Sequence, residues 1–127
     1  MKLLPLTFGP ITHEMLADYA DVSHDRNPIH LDAAAARRAG FDDVIAHGLF
    51  PMSLMARAVT QWSGPNSLVS LSARFTAPTP IGALITVSGK VKSRGQHDGG
   101  ELVVLDLTAR TDLGTEVIVG VAQVLLD

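Results

Sequence analysis

Asp25 and His30 are the residues of this chain whose types and spacing point most directly to chemistry. They lie in the stretch Ser23-His24-Asp25-Arg26-Asn27-Pro28-Ile29-His30-Leu31-Asp32, where Pro28 breaks the backbone between them. A turn at that proline lets both side chains converge on one point. A carboxylate beside an imidazole is the smallest set that can take and return a proton near neutral pH. Asn27 sits between them, and its side chain can bond neighbouring backbone and hold the turn. The same spacing also fits an Asx turn with a helix-capping aspartate and a solvated histidine. Spacing alone leaves both readings open.

Several elements must hold that turn in place. The pattern predicts a first helix from Thr12 to Val22, with Thr12 as its cap and Glu14 in the positive first turn. Met15, Leu16 and Tyr19 fall on one of its faces. The helix must end before Asn27, because a residue preceding proline is biased away from helical backbone. A short second helix is expected from Ala33 to Ala39, capped by Asp32 and stopped by Gly40. A third is expected from about His47 to Trp62. There Leu49, Met52, Met55, Ala56, Val59 and Trp62 recur at helical spacing, while Phe50, Leu54 and Ala58 add apolar groups on the opposite side. A helix apolar nearly all round is expected to be buried.

The second half of the chain alternates in the manner of strands. Runs are predicted over 68–75, 84–92, 101–111 and 116–126, with hairpin connections at 95–100 and 112–115. A buried helix followed by an antiparallel meander is an α+β layout.

Bulk properties exclude several classes of function. The chain has 127 residues, of which 46% are hydrophobic, enough for one buried core and so for one domain over 1–127. The net charge is −3 and the basic residues are scattered, so no nucleic-acid partner is expected. No cysteine is present, which rules out thiol nucleophiles, disulfides and thiolate metal sites. The opening Met1-Lys2-Leu3-Leu4-Pro5-Leu6 is too short and interrupted for a signal peptide, and no apolar run approaches the roughly 18 residues of a membrane span. A soluble, cytoplasmic protein is expected.

The turn resembles the hydratase-2 motif of the MaoC-like family of (R)-specific enoyl-CoA hydratases and 3-hydroxyacyl dehydratases. Ser23, Asp25, Asn27, Pro28, Ile29, His30 and Asp32 match that motif in register. Ala46-His47-Gly48-Leu49 resembles the family's opening of its central helix, and Ala73-Arg74-Phe75-Thr76-Ala77-Pro78 the strand that follows. The resemblance implies a hot-dog fold, in which an antiparallel sheet wraps a long central helix. It implies reversible hydration of 2-enoyl thioesters, carried by coenzyme A or a carrier protein, to (R)-3-hydroxyacyl thioesters. Asp25 and His30 are then the catalytic pair, and the Gly48 backbone N–H at the start of the buried helix is the oxyanion donor. Asn27 positions the loop. His47, Leu49, Met52 and Ser53 are expected around the substrate or the loop, His47 as a structural histidine at the helix entrance.

No metal and no cofactor is expected, since a set of Asp25, His30 and His47 has no recognised ligand spacing. The fold leaves a sheet short of cover, so a homodimer is expected. Arg37, Arg38, Arg57, Lys90, Lys92 and Arg94 are candidates for phosphates of the carrier arm. Two departures from the family stand out: His24 where a glycine is usual, and Ala56 where some members carry serine, with Ser53 one turn earlier. Two other functions remain in view, a thioesterase on the same fold and a subunit of a heteromeric dehydratase.

Overall fold

The computed structural model describes residues 1–127. In chain order its elements are β1 (Leu6–Phe8), α1 (His13–Ser23), a 3₁₀ turn (Pro28–His30), α2 (Ala33–Arg38), α3 (Leu49–Ser63), β2 (Leu68–Phe75), β3 (Ile85–His97), β4 (Gly100–Thr111) and β5 (Glu116–Leu126).

Local chemistry explains the helix boundaries. The Thr12 hydroxyl accepts from the Met15 N–H at 3.1 Å and so starts α1. The Asp32 carboxylate accepts from the Ala34 N–H at 3.0 Å and starts α2. Between them the Asn27 side chain caps the 3₁₀ turn, with Pro28 at its first position where no N–H is needed.

The strands form one antiparallel sheet in the order β1-β3-β4-β5-β2. Only β3-β4-β5 is a meander. Instead of joining β3, β2 crosses to the far edge and pairs with β5 from Leu68↔Val124 to Phe75↔Ile118. That departs from the simple meander expected, because residues 76–84, held by the Ala46 N–H to Thr79 carbonyl bond and the Ile45↔Pro80 bridge, carry the chain from the β5 edge across to β3. Two further differences arise from non-local pairing. Strand β1 is three residues long between Pro5 and Pro10, and it exists only through its pairing with residues 85–87. Strand β3 runs on to His97 because β4 matches it to Gly100, leaving Asp98-Gly99 as the turn.

The inner face of the sheet supplies Ile85, Val87, Val103, Leu105, Leu107, Ala109, Ile118, Ala122 and Val124, all buried, and α3 answers with Leu54, Met55, Ala58 and Val59. Contact is close at Gly120, where a Cβ would stand 2.8 Å from the Met55 sulfur. A sheet wrapped on a central helix is the hot-dog arrangement, and the α+β class follows with it. The helix is not buried all round, however. Leu49, Ser53, Arg57 and Gln61 form an exposed stripe at every fourth residue. One sheet covers one side of the helix, and within this chain only scattered contacts reach its other faces. The Arg57 guanidinium lies 5.3 Å from the Phe8 ring centroid, Tyr19 meets Phe50 edge-on, and the Trp62 indole N–H donates to the Leu4 carbonyl. No helix is long and apolar enough to cross a membrane.

Candidate active site

The Asp25 turn is built from short-range hydrogen bonds. The Asp25 N–H donates to the Ser23 hydroxyl at 3.2 Å, the Asn27 N–H to Asp25 Oδ1 at 3.3 Å, and the Ile29 N–H to Asn27 Oδ1 at 3.2 Å. Asp25 Oδ1 is thereby occupied, while Oδ2 faces His30 Nε2 at 3.9 Å. That distance exceeds a direct hydrogen bond and suits one oxygen atom held between the two. The Asp25 side chain is 52% exposed and that of His30 only 8%. The site therefore opens outward from a buried imidazole.

The orientation of His30 is fixed from behind. Its Nδ1–H donates to the Ile45 carbonyl at 2.8 Å, since a carbonyl can only accept. In the neutral ring Nε2 then carries the free lone pair, and this is the atom turned towards Asp25. The Ile45 N–H donates in turn to the Ile29 carbonyl at 3.2 Å, and the Ala46 N–H to the Thr79 carbonyl at 2.8 Å. The Asp25 turn is thus tied to the 44–46 strip, and the strip to the segment after β2.

His47 is 1% exposed. Its Nε2–H donates to the Asp25 carbonyl at 2.8 Å, and its ring stacks on His30 with centroids 4.0 Å apart and planes 26° apart. Tyr19 packs on His47 at 4.9 Å and edge-on to Phe50 at 5.3 Å. Burial, and after it the Asp25 carboxylate, raise the Tyr19 phenol above its usual value, so it stays protonated. Buried His47 Nδ1 has no partner within the chain. One donor atom each from Asp25, His30 and His47 lies within 4.8 Å of the others. That set does not suit a shared metal ion. Imidazole donates in its own ring plane at about 2.1 Å, and two nearly parallel stacked rings have no common point at that distance.

A cleft of about 390 Å3 brings His30 and Gly48 together, walled by Ile45, Pro51, Phe75 and Thr79 among others. Gly48 precedes α3 with helical backbone (φ −57°, ψ −41°), and its N–H has no acceptor within the chain. A Cβ at Gly48 would stand 3.5 Å from the Phe75 ring. A ligand in this cleft borders both His30 and Gly48, whose N–H is unpaired. Of the expected site residues only His30 and Gly48 line the cleft; Asp25, Asn27, His47, Leu49, Met52 and Ser53 do not. Leu49 is exposed, Met52 packs against the core, and the Ser53 hydroxyl is turned onto the Phe50 carbonyl.

Residues 5–112 match the protein-family profile described as the MaoC like domain. The chain belongs to this family. It is 33% identical to the 3-oxo-4,17-pregnadiene-20-carboxyl-CoA hydratase beta subunit of Mycobacterium tuberculosis, over 87% of this chain and 78% of that one. It is 39% identical to a mitochondrial 3-hydroxyacyl-[acyl-carrier-protein] dehydratase of Arabidopsis thaliana over 54% of this chain, a match that spans 42% of that protein's length. The R-hydratase of Pseudomonas aeruginosa in its unliganded form superposes with a TM-score of 0.85 at 26% identity, covering 99% of this chain and 81% of that one.

Within this MaoC-like chain, His24 ends α1 with φ 62° and ψ 14°, and it is the one non-glycine residue with positive φ. The backbone there has the shape that a glycine would adopt freely. Left-handed backbone costs an ordinary residue roughly 1–2 kcal/mol, partly offset by the roughly 0.5–1 kcal/mol of extra entropy that glycine loses on folding. His24→Gly is therefore expected to stabilise the chain by about 0.5–1 kcal/mol, read as a higher urea midpoint. A lower midpoint would mean that the exposed ring makes a contact worth more than the strain.

Sequence reasoning did not assign Tyr19, Ile45, Phe75 or Thr79 to the site. Phe75 lies inside a stretch resembling the family and Tyr19 on the apolar face of the helix that leads into the motif, which is the available signal. Ile45 carried none, because its role comes from backbone atoms.

Proposed function

We propose that this chain catalyses the reversible addition of water to trans-2-enoyl thioesters of coenzyme A or a carrier protein, giving (R)-3-hydroxyacyl thioesters. One observation carries the reading: the free lone pair of His30 and the free oxygen of Asp25 face each other at 3.9 Å beside a cleft also lined by Gly48, whose N–H is unpaired.

In this reading a water lies between Asp25 Oδ2 and His30 Nε2. The pair takes one of its protons as its oxygen bonds to C3. The C2–C3 π electrons move towards the carbonyl, and the Gly48 N–H meets the charge that gathers on the thioester oxygen. The same pair returns a proton to C2, so both additions come from one face. Asn27 holds the turn, and His47 holds the Asp25 backbone and the His30 ring. The names of the relatives support this substrate class, and the resemblance supplies the (R) hand.

The direct test follows absorbance loss of crotonyl-CoA and determines the hand of the product on a chiral column. Formation of the (S)-alcohol would overturn the stereochemical assignment. A thioesterase would release free thiol from saturated acyl-CoA faster than crotonyl-CoA is hydrated, and that outcome would displace hydration altogether. A cytoplasmic homodimer completes the reading. Its support is the apolar surface that this chain leaves open at Leu49, Val69 and Phe75, with β2 as an edge strand. A relative named as a beta subunit favours a second possibility, a heteromeric pair. The mass of the purified protein in solution separates the two.

A further inference from the structure

We infer that Arg57 binds the first phosphate of the substrate's phosphopantetheine arm, the group common to coenzyme A and a carrier protein; this rests on the hydratase reading above.

Arg57 differs from the other basic residues suited to that arm. Arg94 is paired with Glu101 at 2.8 Å, and the Arg37 Nε–H donates to the Asp42 carbonyl at 3.2 Å. Arg38, Lys90 and Lys92 form no ion pair, and no ring holds them. The Arg57 guanidinium has no carboxylate partner either, but it is held over the Phe8 ring, 5.3 Å from the centroid. Phe8 is fixed in turn by its pairing with Ile85 and its packing against the core. A ring face attracts the cation without using up its planar fork of N–H donors, and that fork matches two oxygens of a phosphate. Holding the side chain in advance also lowers the ordering cost of binding.

The path from the cleft leads to the same place. In the hydratase reading the thioester oxygen meets the Gly48 N–H, with C2 and C3 on the His30 side. The sulfur and its arm therefore leave Gly48 on the side away from His30. Gly48 opens directly into α3, whose exposed stripe runs through Leu49, Ser53 and Arg57. From Leu49 to Arg57 the helix rises about 12 Å. An extended amide-linked chain advances about 3.6 Å for every three bonds, so the arm between sulfur and first phosphate reaches roughly 17 Å and spans the stripe. The methylenes beside the sulfur meet exposed Leu49. An amide N–H of the arm meets the Ser53 oxygen, which gives its hydrogen to the Phe50 carbonyl and keeps lone pairs for a donor. Arg74 and Lys90 do not compete. They line a cleft on the outer face of the sheet, beside the Asp106 carboxylate and across from α3.

The test measures hydration of crotonyl-CoA, crotonyl-phosphopantetheine and crotonyl-pantetheine, which differ only beyond the arm. In the wild type, KM is expected to be about tenfold lower for the two phosphorylated substrates, the scale of one exposed charge-assisted contact. Arg57→Gln is expected to raise both of those KM values about tenfold with kcat kept, and to leave crotonyl-pantetheine within about twofold. Arg57→Lys keeps the charge without the fork, so its KM values should fall between, and it decides the matter should the glutamine variant not fold. A rise for crotonyl-CoA alone would overturn the assignment, because the arginine would then read the nucleotide. Equal rises for all three would overturn it too, since Arg57 would then support the fold or a contact with a second copy. Equal wild-type KM values, or KM unchanged in both variants, would mean that no phosphate is read at Arg57. A wild type inert to all three thioesters would remove the hydratase reading itself, and the phosphate assignment with it.

Discussion

Replacing Asp25 with asparagine is expected to slow hydration of crotonyl-CoA by about 10²–10⁴-fold, the contribution of a positioned general acid or base, without unfolding the chain. The reason lies in how the two carboxylate oxygens are used. Oδ1 accepts from the Asn27 N–H and holds the turn, and an asparagine carbonyl oxygen can accept in the same place. Oδ2 faces His30, and there the amide nitrogen brings a donor where an acceptor is needed. The substitution therefore separates the structural oxygen from the chemical one. His30→Ala is expected to cost a similar factor, and it also frees the Ile45 carbonyl that the ring now bonds. The double variant should lose little more than either single one, since residues that act as a unit are not additive. Rates are read from single-turnover absorbance, with thermal melts of each variant alongside. Near-normal kcat in Asp25→Asn would sink the mechanism. Multiplying losses in the double variant would mean that the two residues work on different steps.

The parts of this architecture that could be read in the sequence are those that local rules decide. Thr12 and Asp32 cap their helices because a hydroxyl or carboxylate reaches an N–H within the same turn. β5 runs from Glu116 to Leu126 as its alternation implied. Asp25, Asn27, Pro28 and His30 were legible for the same reason, since the turn they form is bonded within itself. What escaped was decided at a distance. Leu6–Phe8 is a strand only because residues 85–87 lie alongside it. The exposed stripe of α3 escaped because apolar content does not reveal which side a sheet covers. The cleft escaped too, because its walls come from the 3₁₀ turn at His30, the α3 start and the end of β2, and a backbone carbonyl such as that of Ile45 has no signature in residue type. His47 shows both limits. Its position before Gly48 marked it as structural, yet its bond to the Asp25 carbonyl crosses 22 residues of sequence.

Gly48→Pro is expected to lower kcat by about 10²–10³-fold, the loss associated with one oxyanion donor. Proline is a suitable probe because Gly48 already has φ −57°, close to the proline value of about −65°. Its N–H has no acceptor within the chain, so removing it breaks no internal hydrogen bond. Proline is also at home at a helix start. It does require His47 to be extended, so a thermal melt accompanies the assay. Gly48→Ala supplies the control. The alanine keeps the N–H, and its Cβ would reach only ordinary van der Waals contact with the Phe75 ring at 3.5 Å. The alanine is expected to disturb substrate approach and so to act mainly on KM, whereas the proline acts on kcat. Equal losses in the two variants would mean that bulk in the cleft, and not the missing donor, is responsible. A proline variant with wild-type kcat would place the oxyanion donor elsewhere, with the Leu49 N–H in the same first turn the next to test, since the Phe50 N–H is already engaged by the His47 carbonyl at 3.0 Å.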